Sequence, residues 1–159
     1  MQLERNLLRL ISVFSFGSVA IALVSQYVFD MQPCAWCVFQ RLLYLLIGLL
    51  AFWLSYAKPT RVRIVLGSAN IVAIAIMGLI AAWYQEKVAA NLFSCAQTLA
   101  DQIMTKSGLD SVAPWLFGIY ASCMDARVKL LGVEYAWWSL AMFTLIGLLA
   151  LVTLKRQLR

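Results

Sequence analysis

Histidine is absent from the chain, so imidazole general-base chemistry and histidine-ligated metal or haem are excluded. Charge is scarce too. Charged residues make up 13% of the 159 positions while hydrophobic ones make up 64%. A soluble domain carries about twice that charged share. No internal repeat or low-complexity tract is present, and the length suits one compact bundle rather than two domains. The net charge of +6 does not arise from a basic patch among aromatics, which argues against a nucleic-acid surface. Instead, lysine and arginine stand at the ends of apolar runs, as they do in chains embedded in a lipid bilayer. The composition predicts an all-α integral membrane protein.

Four apolar stretches, 10–29, 38–57, 64–84 and 135–154, reach the roughly 20 residues that cross a bilayer as helix. The first has basic flanks at Arg5 and Arg9, and Ala20-Ile21-Ala22 resembles a leader cleavage site. That site falls in mid-run, with apolar residues continuing to Phe29, so an uncleaved span is expected. One set of flanks carries Arg5, Arg9, Lys58, Arg61, Arg63, Lys155, Arg156 and Arg159 against the single acid Glu4. The other carries Lys87, Lys106, Arg127 and Lys129 against Asp30, Glu86, Asp101, Asp110, Asp125 and Glu134. The positive-inside rule then puts both termini in the cytoplasm and loops 30–37 and 85–134 outside. All four cysteines, Cys34, Cys37, Cys95 and Cys123, fall in those two outer loops.

Aromatic residues follow the same division. Tyr27, Trp36, Trp83, Tyr84, Tyr135, Trp137 and Trp138 are expected at the outer interface, and Trp53 and Tyr56 at the inner one. Gly17, Gly48, Gly67, Gly78 and Gly147 should allow close helix approach, with Gly78-x-x-x-Ala82 a small-xxx-small match. Loop 85–134 is too short and too poor in β-branched alternation to form a domain. A short helix is expected over 96–106, with Leu99, Ile103 and Met104 on one side. The apolar segment 114–120 cannot span and should form a short interfacial helix, drawing Cys123 towards Cys34 and Cys37.

The chemistry centres on Pro33-Cys34-Ala35-Trp36-Cys37 and Arg41. Two thiols two residues apart can close a small disulfide ring or share a metal. A structural zinc usually wants a second tight pair, and Cys95 and Cys123 are isolated, so no metal is expected. If Cys37 opens a helix, the unpaired backbone N–H groups and the helix dipole favour its thiolate. Arg41, at i+4, shares its face. Four cysteines permit three pairings. Two pairs on one membrane face make a relay in which thiolate attack moves a disulfide from pair to pair. Beside lipid the fitting terminal acceptor is a quinone, whose carbonyl oxygens a cation can stabilise. Arg41 has a plainer reading as a side chain snorkelling to lipid head groups. Gln40 has no assigned role.

The four-span layout, the Pro33–Cys37 motif, Arg41 and the isolated Cys95 and Cys123 resemble the disulfide bond formation protein B family over essentially the whole chain. These are bacterial inner-membrane protein-dithiol:quinone oxidoreductases. They reoxidise a periplasmic thioredoxin-fold thiol oxidase (DsbA-like) with ubiquinone or menaquinone as cofactor. The resemblance implies a four-transmembrane-helix bundle with periplasmic cysteines. It implies that Cys95 is attacked by the partner, that Cys123 passes electrons to Cys34, and that Cys37 contacts the quinone with Arg41 assisting. Two departures stand out: Gln40 replaces a frequent acid, and Gln85-Glu86-Lys87 replaces a histidine found in some members. A vitamin K epoxide reductase-like protein is an alternative, although there the membrane-proximal Cys-x-x-Cys follows the loop pair. A non-catalytic scaffold with structural disulfides is another.

Overall fold

A computed structural model of the chain describes residues 2–58, 60–87, 98–122, 124–126 and 128–158. In chain order it contains α1 (Gln2–Val28), α2 (Ala35–Tyr56), α3 (Arg61–Lys87), α4 (Leu99–Lys106), α5 (Leu109–Val112), α6 (Pro114–Phe117), β1 (Lys129–Leu130), β2 (Val133–Glu134) and α7 (Tyr135–Leu158). Among the described residues, α1, α2, α3 and α7 are the helices long and apolar enough to cross a membrane. α1 begins well before its apolar stretch and α3 three residues before, because Gln, Glu and Arg are good helix formers and each added residue gains a backbone bond.

The four helices form a ring in which α1 packs on α2, α2 on α3, α3 on α7, and α7 back on α1. The core draws on every member, with Leu8 and Ile11 from α1, Ile47 from α2, Ile71 from α3 and Phe143 and Ile146 from α7. Tyr44 stacks face to face on Phe143, with ring centroids 4.1 Å apart and planes 6° apart. Close approach depends on missing side chains, since a Cβ at Gly78 would run into the Phe143 ring and one at Gly67 into Leu54. Gly17, expected to serve likewise, does not: a Cβ there would meet nothing within 4 Å.

At one end the helices are tied by their basic flanks. Arg156 pairs with Glu4 at 3.3 Å, Arg5 Nε donates to Ser55 O at 3.0 Å, and Arg61 donates to the carbonyls of Gln157 and Leu158. Arg61 thus occupies carbonyls that the C-terminus of α7 leaves without intrahelical partners.

The opposite end carries the loops. α4 starts at Leu99 on a capping box, in which Thr98 Oγ1 accepts from Asp101 N and the Asp101 carboxylate accepts from Thr98 N. Positions 96 and 97 of the helix expected over 96–106 lie outside the described residues. Its buried side is Ala100 and Met104, whereas Leu99 is 62% exposed and Ile103 is also exposed. Leu99 and Ile103 form one i,i+4 stripe and Ala100 and Met104 the adjacent one, and Met104 fits against Val38 and Phe117. Within 114–120 the helix is the single turn of α6, with Trp115 exposed and Phe117 buried. The chain then extends, and Tyr120 N and Ala121 N both donate to Pro33 O, at 3.0 and 3.3 Å. β1 and β2 form a two-pair antiparallel hairpin whose turn residues Leu131 and Gly132 have φ of 55° and 82°. Two positive φ values are what a two-residue type I′ hairpin requires.

Candidate functional site

Cys34 caps α2 in extended conformation, so Ala35, Trp36 and Cys37 form the first turn of the helix. The two sulfurs lie 3.2 Å apart. Closing the ring to an S–S bond needs about 1 Å of approach. Their surroundings differ sharply. Cys34 is 0% exposed, sealed among Ala35, Trp36, Ala81, Ala100 and Ala126, with Ile119 and Ala121 packed against the same cluster. Cys37 lines a cavity of about 200 Å³. Trp36, expected at the lipid interface, is instead buried in protein, tilted against Tyr84 at 4.9 Å and edge-on to Phe39 at 6.0 Å. The loop elements cover a face that the sequence assigns to head groups.

The cavity lies between α1, α2 and α7, with residues 31–33 and the β-hairpin at its outer rim. Its wall is mainly apolar, and its polar points include Ser25, Gln40, Arg41, Gln85, Tyr135 and Ser139. Arg41 is 5% exposed. Its Nη1 donates to Gln26 Oε1 at 2.7 Å and to Leu116 O at 3.1 Å, and its Nη2 donates to Ala22 O at 3.4 Å. The guanidinium therefore does not snorkel to the membrane surface. It joins α1, α2 and α6 while lining the cavity, and these bonds use three of its five N–H groups. Buried charge must be paired or hydrogen-bonded, and carbonyl dipoles perform that service here.

Gln40, left without a role above, is buried and central. Gln85 Nε2 donates to Cys37 Sγ at 3.2 Å, and Gln40 Nε2 donates to Gln85 Oε1 at 2.6 Å. Ser139 Oγ donates to Gln40 Oε1, and Tyr44 OH lies 3.0 Å from Ser139 Oγ. The 37/40/44 spacing puts the three α2 members on one helical face. Gln85 arrives from α3 and Ser139 from α7. The available signal was a glutamine inside an apolar run, which in membrane helices points to function by default.

Cys34, Cys37 and Arg41 thus meet at one site. Cys95 and Cys123, the other two predicted site residues, lie outside the described residues.

The family model of "Disulfide bond formation protein DsbB" matches residues 4–153. Similar curated proteins carry related names. "Disulfide bond formation protein B" of Polaromonas sp. strain JS666 is 29% identical over 164 residues, covering 99% of this chain and 94% of the relative. That of Nitrosomonas europaea is 26% identical, covering 92% and 90%. "Disulfide bond formation protein B 1" of Pseudomonas fluorescens strain Pf0-1 is 29% identical, covering 97% and 91%.

Proposed function

This chain belongs to the disulfide bond formation protein DsbB family, and on that premise we propose that it carries electrons from a periplasmic dithiol protein to a membrane quinone. Family membership and the four long apolar helices make it a multi-pass membrane protein with an oxidoreductase role in disulfide formation. The finer reading rests on one observation. Cys37 opens onto an apolar cavity that also presents Arg41, while its neighbour Cys34 is sealed against the loop that leads to Cys123.

The donor set fits a quinone. The cavity is apolar and lies between membrane-crossing helices, and Arg41 has N–H groups beyond the three used on Gln26, Leu116 and Ala22. Cys37 and Arg41 would hold the head group, and a quinone, ubiquinone or menaquinone, supplies a two-electron, two-proton acceptor when bound. The chain's own work is thiol exchange. A partner thiolate forms a bond to Cys95 Sγ as the Cys95–Cys123 bond breaks and its electron pair leaves on Cys123. Cys123 then forms a bond to Cys34 as the Cys34–Cys37 bond breaks, leaving Cys37 as thiolate beside Arg41. Proximity supports the second step. Ala121, two residues before Cys123 in sequence, donates to Pro33 O, and Ala126, three after it, packs with Cys34.

The test uses the purified protein with a reduced thioredoxin-fold oxidase and a soluble ubiquinone. One quinone should be consumed for each partner disulfide formed. Disulfide formation without quinone consumption would sink the reading.

The periplasmic placement of the cysteines rests on the eight-to-one basic bias of the opposite flanks. A membrane-impermeant thiol reagent is expected to label Cys95 and Cys123 of reduced protein in intact spheroplasts. Labelling of either one only after lysis would overturn this orientation.

A further inference from the structure

We infer that Gln85 is a positioning residue for Cys37, and that Gln40, Ser139 and Tyr44 hold it so that a row of hydrogen-bond donors ends on the Cys37 sulfur. The inference deepens the exchange reading above and rests on it.

The hydrogens run one way. Ser139 spends its hydroxyl hydrogen on Gln40 Oε1, so the single hydroxyl hydrogen of Tyr44 is shared between Ser139 Oγ at 3.0 Å and Ser139 O at 3.1 Å. Gln40 accepts at its oxygen and donates from its amide to Gln85 Oε1. Gln85 does the same, and its N–H reaches Cys37 Sγ. The order is Tyr44, Ser139, Gln40, Gln85, Cys37, with each donor aimed at the next member and the last at the sulfur. Two buried glutamines can satisfy each other without help, yet here one N–H is directed at sulfur, a weak acceptor as thiol and a strong one as thiolate. Aligned hydrogen bonds also polarise one another, so the far members strengthen the last bond. Arg41 lines the same cavity as Gln40, Tyr44, Gln85 and Ser139, and it supplies the formal charge there while the row acts through neutral dipoles.

The consequence concerns the leaving group. When a thiolate bonds to Cys34 and the Cys34–Cys37 bond breaks, the electron pair remains on Cys37 Sγ, where Gln85 already points an N–H. Stabilising the reduced form makes a disulfide more oxidising. The row therefore sets the pair's tendency to accept electrons.

The experiment equilibrates full-length protein in detergent with glutathione buffers and reads the Cys34–Cys37 pair by differential alkylation and mass spectrometry. It needs neither quinone nor partner protein. Gln85→Met keeps the side-chain length and removes the donor. It should shift the equilibrium about tenfold towards disulfide, the scale of a lost hydrogen bond to a charged acceptor. Gln40→Met should shift it about threefold and Tyr44→Phe about twofold in the same direction, falling off along the row. Tyr44→Phe removes a single oxygen and keeps the stack on Phe143, so it tests the proposal even if the glutamine variants fail to fold. Equilibria unchanged from wild type, or a Tyr44→Phe effect larger than that of Gln85→Met, would overturn the inference while leaving the exchange reading intact. A wild-type pair that never exchanges with glutathione would overturn both.

Discussion

Arg41→Met should lower quinone turnover by about a hundredfold or more, the loss seen when one preorganised donor to a developing negative charge is removed. Methionine keeps an apolar stem of similar reach, so the bundle should still insert. Arg41 is buried and lines the same cavity as Cys37, and a fixed positive charge acts more strongly in a buried apolar wall than in water. The substitution also strips donors from Gln26 Oε1, Leu116 O and Ala22 O, at about 1–3 kcal/mol for each acceptor left unsatisfied. Thermal unfolding should be recorded alongside kinetics so that the two losses are separated. Arg41→Lys keeps charge but loses the planar fork and should fall between wild type and Met. Partner exchange should persist in both variants, because the loop thiols carry that step. Unchanged quinone kinetics would reduce Arg41 to a tie between α1, α2 and α6.

A partner oxidase lacking its resolving cysteine should accumulate as a mixed disulfide at Cys95, and Cys95→Ser should cut partner oxidation to background. Exchange needs access to the sulfur under attack. Cys34 has none, being 0% exposed beneath Ala100, Ile119, Ala121 and Ala126, and a soluble protein cannot reach it without displacing that cover. Cys123 stands in sequence between two of those covering residues, Ala121 and Ala126, whereas Cys95 precedes α4 and its capping box. Mass spectrometry of the trapped adduct decides the matter. Predominant trapping at Cys123 or Cys34 would reverse the proposed order of transfer.

The helices that build the bundle could be read from local pattern alone, because a bilayer demands long uninterrupted apolar runs and those runs are contiguous in sequence. The placement of Arg41 near Cys37 was legible for a similar reason: four residues of helix set it. Gln85 and Ser139 were not legible as partners of Gln40, since they come from α3 and α7 and meet it only when the ring closes. Trp36 misled because tryptophan suits both a membrane interface and a protein interior, and only the presence of α4 and the extended segment after α6 decides between them. The same holds for Leu99. Its stripe is as apolar as that of Met104, and the choice is made by a gap between Val38 and Phe117 that no local pattern records.

The contact between Glu4 and Arg156 has a practical side. It brings the first and last helices together at the end of the ring where α2 ends and α3 begins. The cysteine pair sits at the far end of α2, 22 residues of helix away. That is a distance of about 30 Å at 1.5 Å per residue. Fluorophores, affinity tags or fused domains attached beyond either helix end are thus held a bundle's length from the thiols. Two reporters, one per terminus, would sit close enough to sense each other and far enough from the cavity to leave it undisturbed.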